Sequence, residues 1–415
     1  MYWIAVWIVL ALLSSEPVWA AEEVCSTCHQ VDLRGIHADM ECSACHESSG
    51  NGTGPHSGSP NGAGRCTGCH ESYEHIFEGP MTVRKAERDF VEETFGEVDP
   101  RFFEKNCASC HVSSCVDCHG SDGHDIARPD KKDCHACHQG YFVGADYYGM
   151  APREDHQRYQ RGPSYQGEHY LKMLPDVHAE AGMACGDCHS MSSLAGEGEV
   201  KSCRDCHNPD PEIVDHRITA HMEQMECYAC HSAWGAQEYG TFFLRLGENP
   251  AREYFRLESR KDDGEYLKSA YLKKQDEPPL GINARGKISP IRPQFIAYYA
   301  DLRDAPPGED HRLLNARWKA FFPHTVRRGA VMCDGCHNNS RRFLLEADED
   351  RIYQLEKDGL DLESFWVQEG QELANGQFMS RERFEAMSRK SPDYTRAYVE
   401  KWKNLSDRVE TSSEP

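Results

Sequence analysis

Apolar positions are concentrated at the two ends of the chain and thin out between them. Tyr2 to Leu13 is an unbroken apolar run, followed by Ser14-Ser15-Glu16-Pro17 and then Val18-Trp19-Ala20. This reads as the apolar core of a secretory signal peptide, with Val18 and Ala20 as the small residues that direct cleavage after Ala20. Residues 1–20 are then absent from the mature protein. The alternative is an uncleaved anchor, although the run falls short of the roughly 20 apolar residues that span a bilayer. Near the other end, Ser391-Pro392-Asp393 offers an N-cap, a proline at N1 and an acid in the first turn. Tyr394, Tyr398, Trp402 and Leu405 then recur at helical spacing. Phe384 and Met387 predict a preceding helix, and Arg252 to Leu272 is expected to be helical as well. Pro278, Pro279, Pro290 and Pro293 predict an irregular, extended segment between them. Residues 239–415 are therefore expected to form a mostly helical C-terminal domain.

From residue 21 to residue 238 no periodic pattern dominates, and cysteine and histidine take over. All 20 cysteines fall in ten CxxCH units with none left over. These are Cys25/Cys28/His29, Cys42/Cys45/His46, Cys66/Cys69/His70, Cys107/Cys110/His111 and Cys115/Cys118/His119. Then come Cys134/Cys137/His138, Cys185/Cys188/His189, Cys203/Cys206/His207, Cys227/Cys230/His231 and Cys333/Cys336/His337. CxxCH is the attachment signature of c-type haem. Two thiols three positions apart reach the two vinyl groups of one porphyrin as thioethers, and the next imidazole falls under the iron as its proximal ligand. A disulfide framework explains an even cysteine count but not a histidine after every pair. Zinc ribbons use CxxC half-sites but do not require histidine at the next position ten times.

Ten haem c groups change the expected fold. Only 39% of residues are hydrophobic, so porphyrin faces are expected to fill the core of residues 21–238, which hold nine motifs. The predicted class is mainly α with much irregular loop, packed around haem, with little or no β-sheet. Motif spacings of 17 and 24 residues recur as 18 and 24. This hints at two three-haem units, Cys25–His70 and Cys185–His231, flanking a central three-haem segment. Only Val112, Ser113 and Ser114 separate His111 from Cys115. At roughly 3.3–3.6 Å per extended residue those two haems are near neighbours. Trp318, Phe321, Phe322, Phe343, Leu344 and Leu345 are expected to line the tenth haem rather than a partner groove.

Charge adds a partner class. The formal net charge is −22, and the first 239 residues carry 17 basic and 38 acidic side chains against 29 and 30 in the rest. An acidic field of this kind excludes simple nucleic-acid binding. It either steers basic redox partners or keeps a haem-rich surface soluble.

Ten six-coordinate haems need ten distal ligands, and twelve histidines lie outside the motif termini. His37, His75, His124, His178, His216, His221 and His324 are the leading distal candidates, with His56 in a Gly/Ser/Asn loop beside them. His135, His156, His169 and His311 divide between ligand and structural or acid–base roles. Met173, Met183 and Lys172 are further ligand candidates, outweighed by packing.

Residues from His178 through Cys185-Gly-Asp-Cys188-His189, together with the next two motifs, resemble the haem module of the nitrite reductase, hydroxylamine oxidoreductase and octahaem tetrathionate reductase superfamily. The likeness covers about residues 159–234 and implies that His178 is a distal ligand. The CxxCK catalytic motif typical of pentahaem nitrite reductases is absent here, and ten haems differ from the usual five or eight. The likeness to octahaem tetrathionate reductase implies Lys172 as the candidate distal lysine. His169 and Tyr165 are the other catalytic candidates, with Arg153, Tyr159 and Arg161 nearby as substrate or propionate ligands.

The preferred function is an exported, periplasmic or cell-surface decahaem cytochrome. It would relay electrons between a quinol-linked membrane complex or periplasmic cytochrome and a terminal acceptor. The alternatives are a reductase of a small nitrogen or sulfur oxyanion at one five-coordinate haem, and a haem-lined extracellular filament subunit. Membrane-complex association and oligomers belong to the same set of expectations.

Overall fold

The computed structural model describes residues 34–35, 37–41, 44, 64–96, 100–106, 112–120, 125–138, 146–148, 160–165, 168–172, 176–232, 234–236, 240–246, 257–259, 265–269, 274–276, 278–301, 312–350 and 368–412. The chain forms two compact units.

The first unit comprises Met1–Arg84, Cys110–Cys134 and His189–Val200. Its described elements are short. They include helical turns at Gly64–Thr67, Glu71–Phe77, Pro80–Val83 and Val116–His119, and a two-residue parallel ladder that pairs Arg34 with Asp125 and Gly35 with Ile126. Pro80 starts its turn at the position where a missing N–H costs nothing. Arg84, at φ 48°, ends it in the left-handed region. Among the described residues of this unit only Ile76 and Ala195 are buried apolar side chains. These two side chains cannot by themselves offset the entropy of ordering the described segments.

The second unit comprises Lys85–Ser109, His135–Cys188 and Lys201–Pro415. Its centre is a five-stranded mixed sheet built from β1 (Leu280–Asn283), β2 (Ile288–Asp301), β3 (Arg312–Ala320), β4 (Glu372–Leu373) and β5 (Gly376–Gln377). β2 pairs antiparallel with β1 and β3, β4 lies parallel to β3, and β5 returns antiparallel to β1. The order β5-β1-β2-β3-β4 therefore nearly closes into a small barrel, because β4 and β5 are joined by Ala374-Asn375 alone. Asn375 locks that corner. Its carbonyl accepts from Ala320 N at 2.7 Å and its amide donates to Ala320 O at 3.0 Å. Strands Gly240–Leu246, Glu265–Ser269 and Leu257–Ser259 extend the sheet beyond β2.

The expected class, mainly α with little or no β-sheet, is thus overturned. Two segments account for the difference. Part of Arg252–Leu272 is strand, at Leu257–Ser259 and Glu265–Ser269, where a helix was expected. The proline-marked stretch is also strand. Proline is excluded from a strand interior except at irregularities, and a break in the β2–β3 register falls between Pro293 and Phe295. Ile288, Ile291, Phe295 and Ile296 are all buried along β2, so apolar burial overrides the proline signal. In β3, Ala316, Trp318 and Ala320 alternate into the core with period two.

Helix α1 (Lys85–Phe95) packs Phe90, Val91 and Phe95 against α2 (Phe102–Asn106) and the sheet, with the Phe90 and Phe295 rings 5.4 Å apart. Two C-terminal helices follow the barrel as expected. Ser380 Oγ accepts from Arg383 N at the start of α3 (Arg381–Ser388), and Ser391 Oγ accepts from Tyr394 N at the start of α4 (Pro392–Ser412). Trp318, Phe343 and Leu344 are buried in this side-chain core, while Phe321 and Phe322 are half-buried.

Gly376 is required by barrel closure. A Cβ there would collide with the Ile282 carbonyl oxygen and stand 2.8 Å from Leu373 Cδ2. G376A should lose about 3 kcal/mol, the upper end for overpacking, read as a lower denaturation midpoint by far-UV circular dichroism.

Candidate metal centres

The described CxxCH units fold as single tight turns. The histidine N–H bonds back to the first cysteine's carbonyl at 2.9 Å in Cys66–His70, 3.0 Å in Cys115–His119, 2.8 Å in Cys203–His207 and 2.8 Å in Cys333–His337. This i→i−4 closure brings two thiols and one imidazole to one side. In three motifs an aspartate just before the second cysteine caps the turn. Asp117 accepts from Ser114 N at 2.9 Å, Asp187 from Ala184 N at 2.7 Å and Asp205 from Ser202 N at 2.6 Å.

Among the described residues, four motif histidines face a histidine from outside the motifs. Ring centroids are 6.2 Å apart for His37 and His70, 5.9 Å for His178 and His207, 6.3 Å for His216 and His231, and 6.2 Å for His221 and His337. Imidazole nitrogens lie about 2.0 Å from a bound metal. Adding about 1.1 Å from nitrogen to ring centre on each side, two rings flanking one metal have centroids about 6.2 Å apart. The four pairs therefore fit one iron each. Their interplanar angles, from 35° to 90°, are all compatible, since a ring rotates about its own metal bond.

The Nδ1 atoms support this fit. His337 Nδ1 donates to Met387 O at 2.8 Å, His216 Nδ1 to Asp210 O at 3.1 Å, and His231 Nδ1 to Gly329 O at 3.2 Å. His178 Nδ1 meets Asp176 Oδ1 at 3.0 Å. In the motif at Cys115, which is outside these four pairs, His119 Nδ1 donates to Ala127 O at 3.0 Å. Each bond puts the proton on Nδ1 and the lone pair on Nε2, the tautomer that ligates a metal. Burial holds His189, His221 and His231 below the usual histidine range, so these rings are neutral at pH 7. The zinc alternative would need several donors converging on one point. Among the described residues no three His, Cys, Asp or Glu side chains do so.

Several of the expected haem-binding residues are covered less by protein than a haem-filled core implies, with His70, Cys206 and His207 exposed in addition to those that follow. Cys69 is exposed, although its N–H bonds Cys66 O at 3.1 Å and keeps it in the turn. Cys118 is only half-buried, its N–H bonding Cys115 O at 3.3 Å. His138, expected as a proximal ligand, is exposed just past the helix Lys131–Cys137. The reason is the local shortage of apolar side chains: a turn of five residues places these atoms but cannot bury them. Their cover would fall to the porphyrin itself.

The remaining candidates divide by position. His75 is exposed, with its ring between Glu78 at 3.5 Å and Glu197 at 4.0 Å. His324 sits at φ 56°, edge-on to Phe322 at 4.6 Å. Met183 is exposed. Tyr165, His169 and Lys172 lie on a hairpin whose backbone register sets Tyr165 opposite Glu168, His169 opposite Ser164, and Lys172 opposite Gln160 and Asp146. His135 falls in the helix Lys131–Cys137; its side chain, and that of Cys137, lie outside the described residues. So do residues 1–20, Cys25, Cys28, His29, Cys42, Cys45, His46, His56, Cys107, Cys110, His111, His124, Arg153, His156, Tyr159, Met173 and His311.

Neighbouring motifs lie within electrostatic reach of one another. Cys203 S–H donates to Cys227, Cys188 lies in electrostatic reach of Cys206, and Cys230 in reach of Cys336. Burial pushes the Cys230 thiol up to about 12. In the first unit Cys66 and Cys115 hydrogen-bond. The seventh to tenth motifs thus form an unbroken series, and the loop after β3 binds part of it together. Val326 O accepts from Val177 N, Arg327 N donates to His231 O, and Val331 N donates to Cys230 O, just before Cys333. The Tyr394 and Tyr398 hydroxyls of α4 donate to Asp334 inside the tenth motif, and Lys401 Nζ bonds both Val331 O and Asp215 Oδ2. The sequence offered no pairing signal for this loop. Asp176 was also missed, although an aspartate immediately before a helical start is an N-cap signal. A cleft of about 240 Å³ beside the ninth motif is lined by Tyr228, Asn283, Arg285, Ser289, Phe321 and Phe322.

Among the described residues no helix is long and apolar enough to cross a membrane. No family model matches the chain, and no solved structure matches it. The chain is similar to a curated protein named cytochrome c-552 from Porphyromonas gingivalis (strain ATCC BAA-308 / W83), at 26% identity over 164 residues. The match spans 30% of this chain and 30% of that relative. It supports a c-type cytochrome.

Proposed function

We propose that the protein is an exported decahaem c-type cytochrome. It would carry single electrons along closely spaced haems, from a quinol-linked membrane complex or a periplasmic cytochrome to a terminal acceptor. The observation that carries this reading is the set of four histidine pairs at metal-bridging separation, each joining a CxxCH histidine to one from outside the motifs. Haem c held there would supply reversible one-electron iron chemistry. The cysteine pairs tether it, and His70, His207, His231 and His337 are the proximal ligands. His37, His178, His216 and His221 are their distal partners. Iron held by both histidines of a pair would be closed to a substrate, which suits relay rather than turnover. The proximity of consecutive motifs supports short gaps, and tunnelling falls off exponentially with the gap. The acidic excess in the first 239 residues supports a basic partner whose association weakens with salt. The apolar leader at Tyr2–Leu13 supports export.

The test is spectroscopic. Natively matured protein should carry ten covalent haems by mass, show low-spin ferric spectra throughout, and fail to turn over nitrite, hydroxylamine or tetrathionate. A high-spin signal that moves when one of these is added would overturn the relay in favour of an enzyme.

A further inference from the structure

The hydrogen bonds behind the paired histidines are not alike. His216, His231 and His337 donate to backbone carbonyls. His178 instead meets a carboxylate, Asp176 Oδ1, at 3.0 Å. Asp176 is only 4% exposed. The same oxygen accepts from His178 N at 2.8 Å, and the other oxygen accepts from Val326 N at 2.5 Å. Among the described residues no lysine or arginine forms an ion pair with it. The nearest parallel shows the contrast: Asp215 stands 3.9 Å from His221 Nδ1, beyond hydrogen-bond range, and its other oxygen is neutralised by Lys401 at 2.7 Å.

We propose that Asp176 is a potential-setting residue: by accepting the Nδ1 proton of His178, its carboxylate lowers the reduction potential of the iron held between His178 and His207. This rests on the reading of those two histidines as axial ligands. A carboxylate acceptor draws the Nδ1 proton toward itself and gives the imidazole partial imidazolate character. That raises the basicity of Nε2 toward the metal. A more basic ligand favours the more positive oxidation state, as does a buried negative charge nearby. Both effects make the iron harder to reduce. Carbonyl acceptors carry no net charge and polarise the ring less. The eighth motif is therefore set apart electrically from the ninth and tenth motifs of the same series.

The test uses the full-length holoprotein with all haems attached, titrated spectroelectrochemically. Asp176→Asn keeps an acceptor but removes the charge. One haem should then reduce more readily, by about tenfold in the ferrous-to-ferric ratio at fixed applied potential, or about 59 mV for a one-electron couple. The remaining couples should stay in place and the spectrum low-spin, and Asp176→Glu should restore the lower potential. Unmoved couples in D176N, with haem content intact, would overturn the proposal. So would loss of a haem or of its low-spin spectrum in D176N, which would mark Asp176 as a packing residue only. H178A separates the two layers. One new high-spin haem beside an unmoved D176N overturns the potential-setting role alone. A wholly low-spin H178A overturns the ligand reading and this proposal with it.

Discussion

Replacing His221 with alanine should convert one haem of the holoprotein from low-spin to high-spin and let it bind one equivalent of carbon monoxide when reduced. His221 lies in the helix Thr219–Gln224, and its ring faces His337 at 6.2 Å. No other histidine is positioned to substitute among the described residues, because the nearby His216 faces His231. Alanine also removes the contact with Asp215, but Asp215 keeps Lys401 at 2.7 Å, so no buried charge is stranded. The proximal side should stay intact. His337 Nδ1 still bonds Met387 O, and its ring still packs 5.1 Å from Tyr394. The defect is then local: one open iron at the end of the series formed by the seventh to tenth motifs, with haem mass unchanged. An H221A protein that binds no carbon monoxide and stays wholly low-spin would remove the basis for reading these histidine pairs as axial pairs.

What was legible beforehand follows from how local the chemistry is. Thioether attachment needs two thiols and an imidazole within five consecutive residues, so CxxCH is visible in sequence. Distal ligation needs only that a histidine arrive in space. His37, His178, His216 and His221 were recognisable as candidates, but their partners were not, since tertiary packing sets them. The exposure of Cys69 and His138 was equally out of reach, because burial depends on what else the chain folds over a motif. The sheet was hidden for a different reason. Pro290 and Pro293 argue against strand by removing donors, and only the register break beside Phe295 makes room for one of them. The helices at Pro392 and Arg381 were readable because serine caps and helical spacing are short-range signals. Asp176 escaped notice because its importance depends on Val326, a residue far along the chain.

Trp318→Ala should cost about 3–5 kcal/mol, the range for removing a fully buried large aromatic. Trp318 has no exposed surface. It sits on β3 between Pro293 of β2 and Leu373 of β4, and it lies edge-on to Phe378 at 5.7 Å. Its carbonyl accepts from Ala374 N at 2.9 Å, so it stands at the corner where the barrel closes. Beyond β3 the chain runs directly into the loop that bonds Asp176, His231 and Cys230. A weakened barrel should therefore loosen the loop that positions the eighth and ninth motifs. In a denaturant titration, W318A should show an earlier loss of circular dichroism, accompanied by an earlier loss of low-spin absorbance. Trp402→Ala is the matched control, since Trp402 is 51% exposed on α4 and a surface change of that kind stays within about 0.5 kcal/mol. If the two variants unfold at the same midpoint, the barrel is not what holds these histidines in register. The covalent haems alone would then have to supply that rigidity.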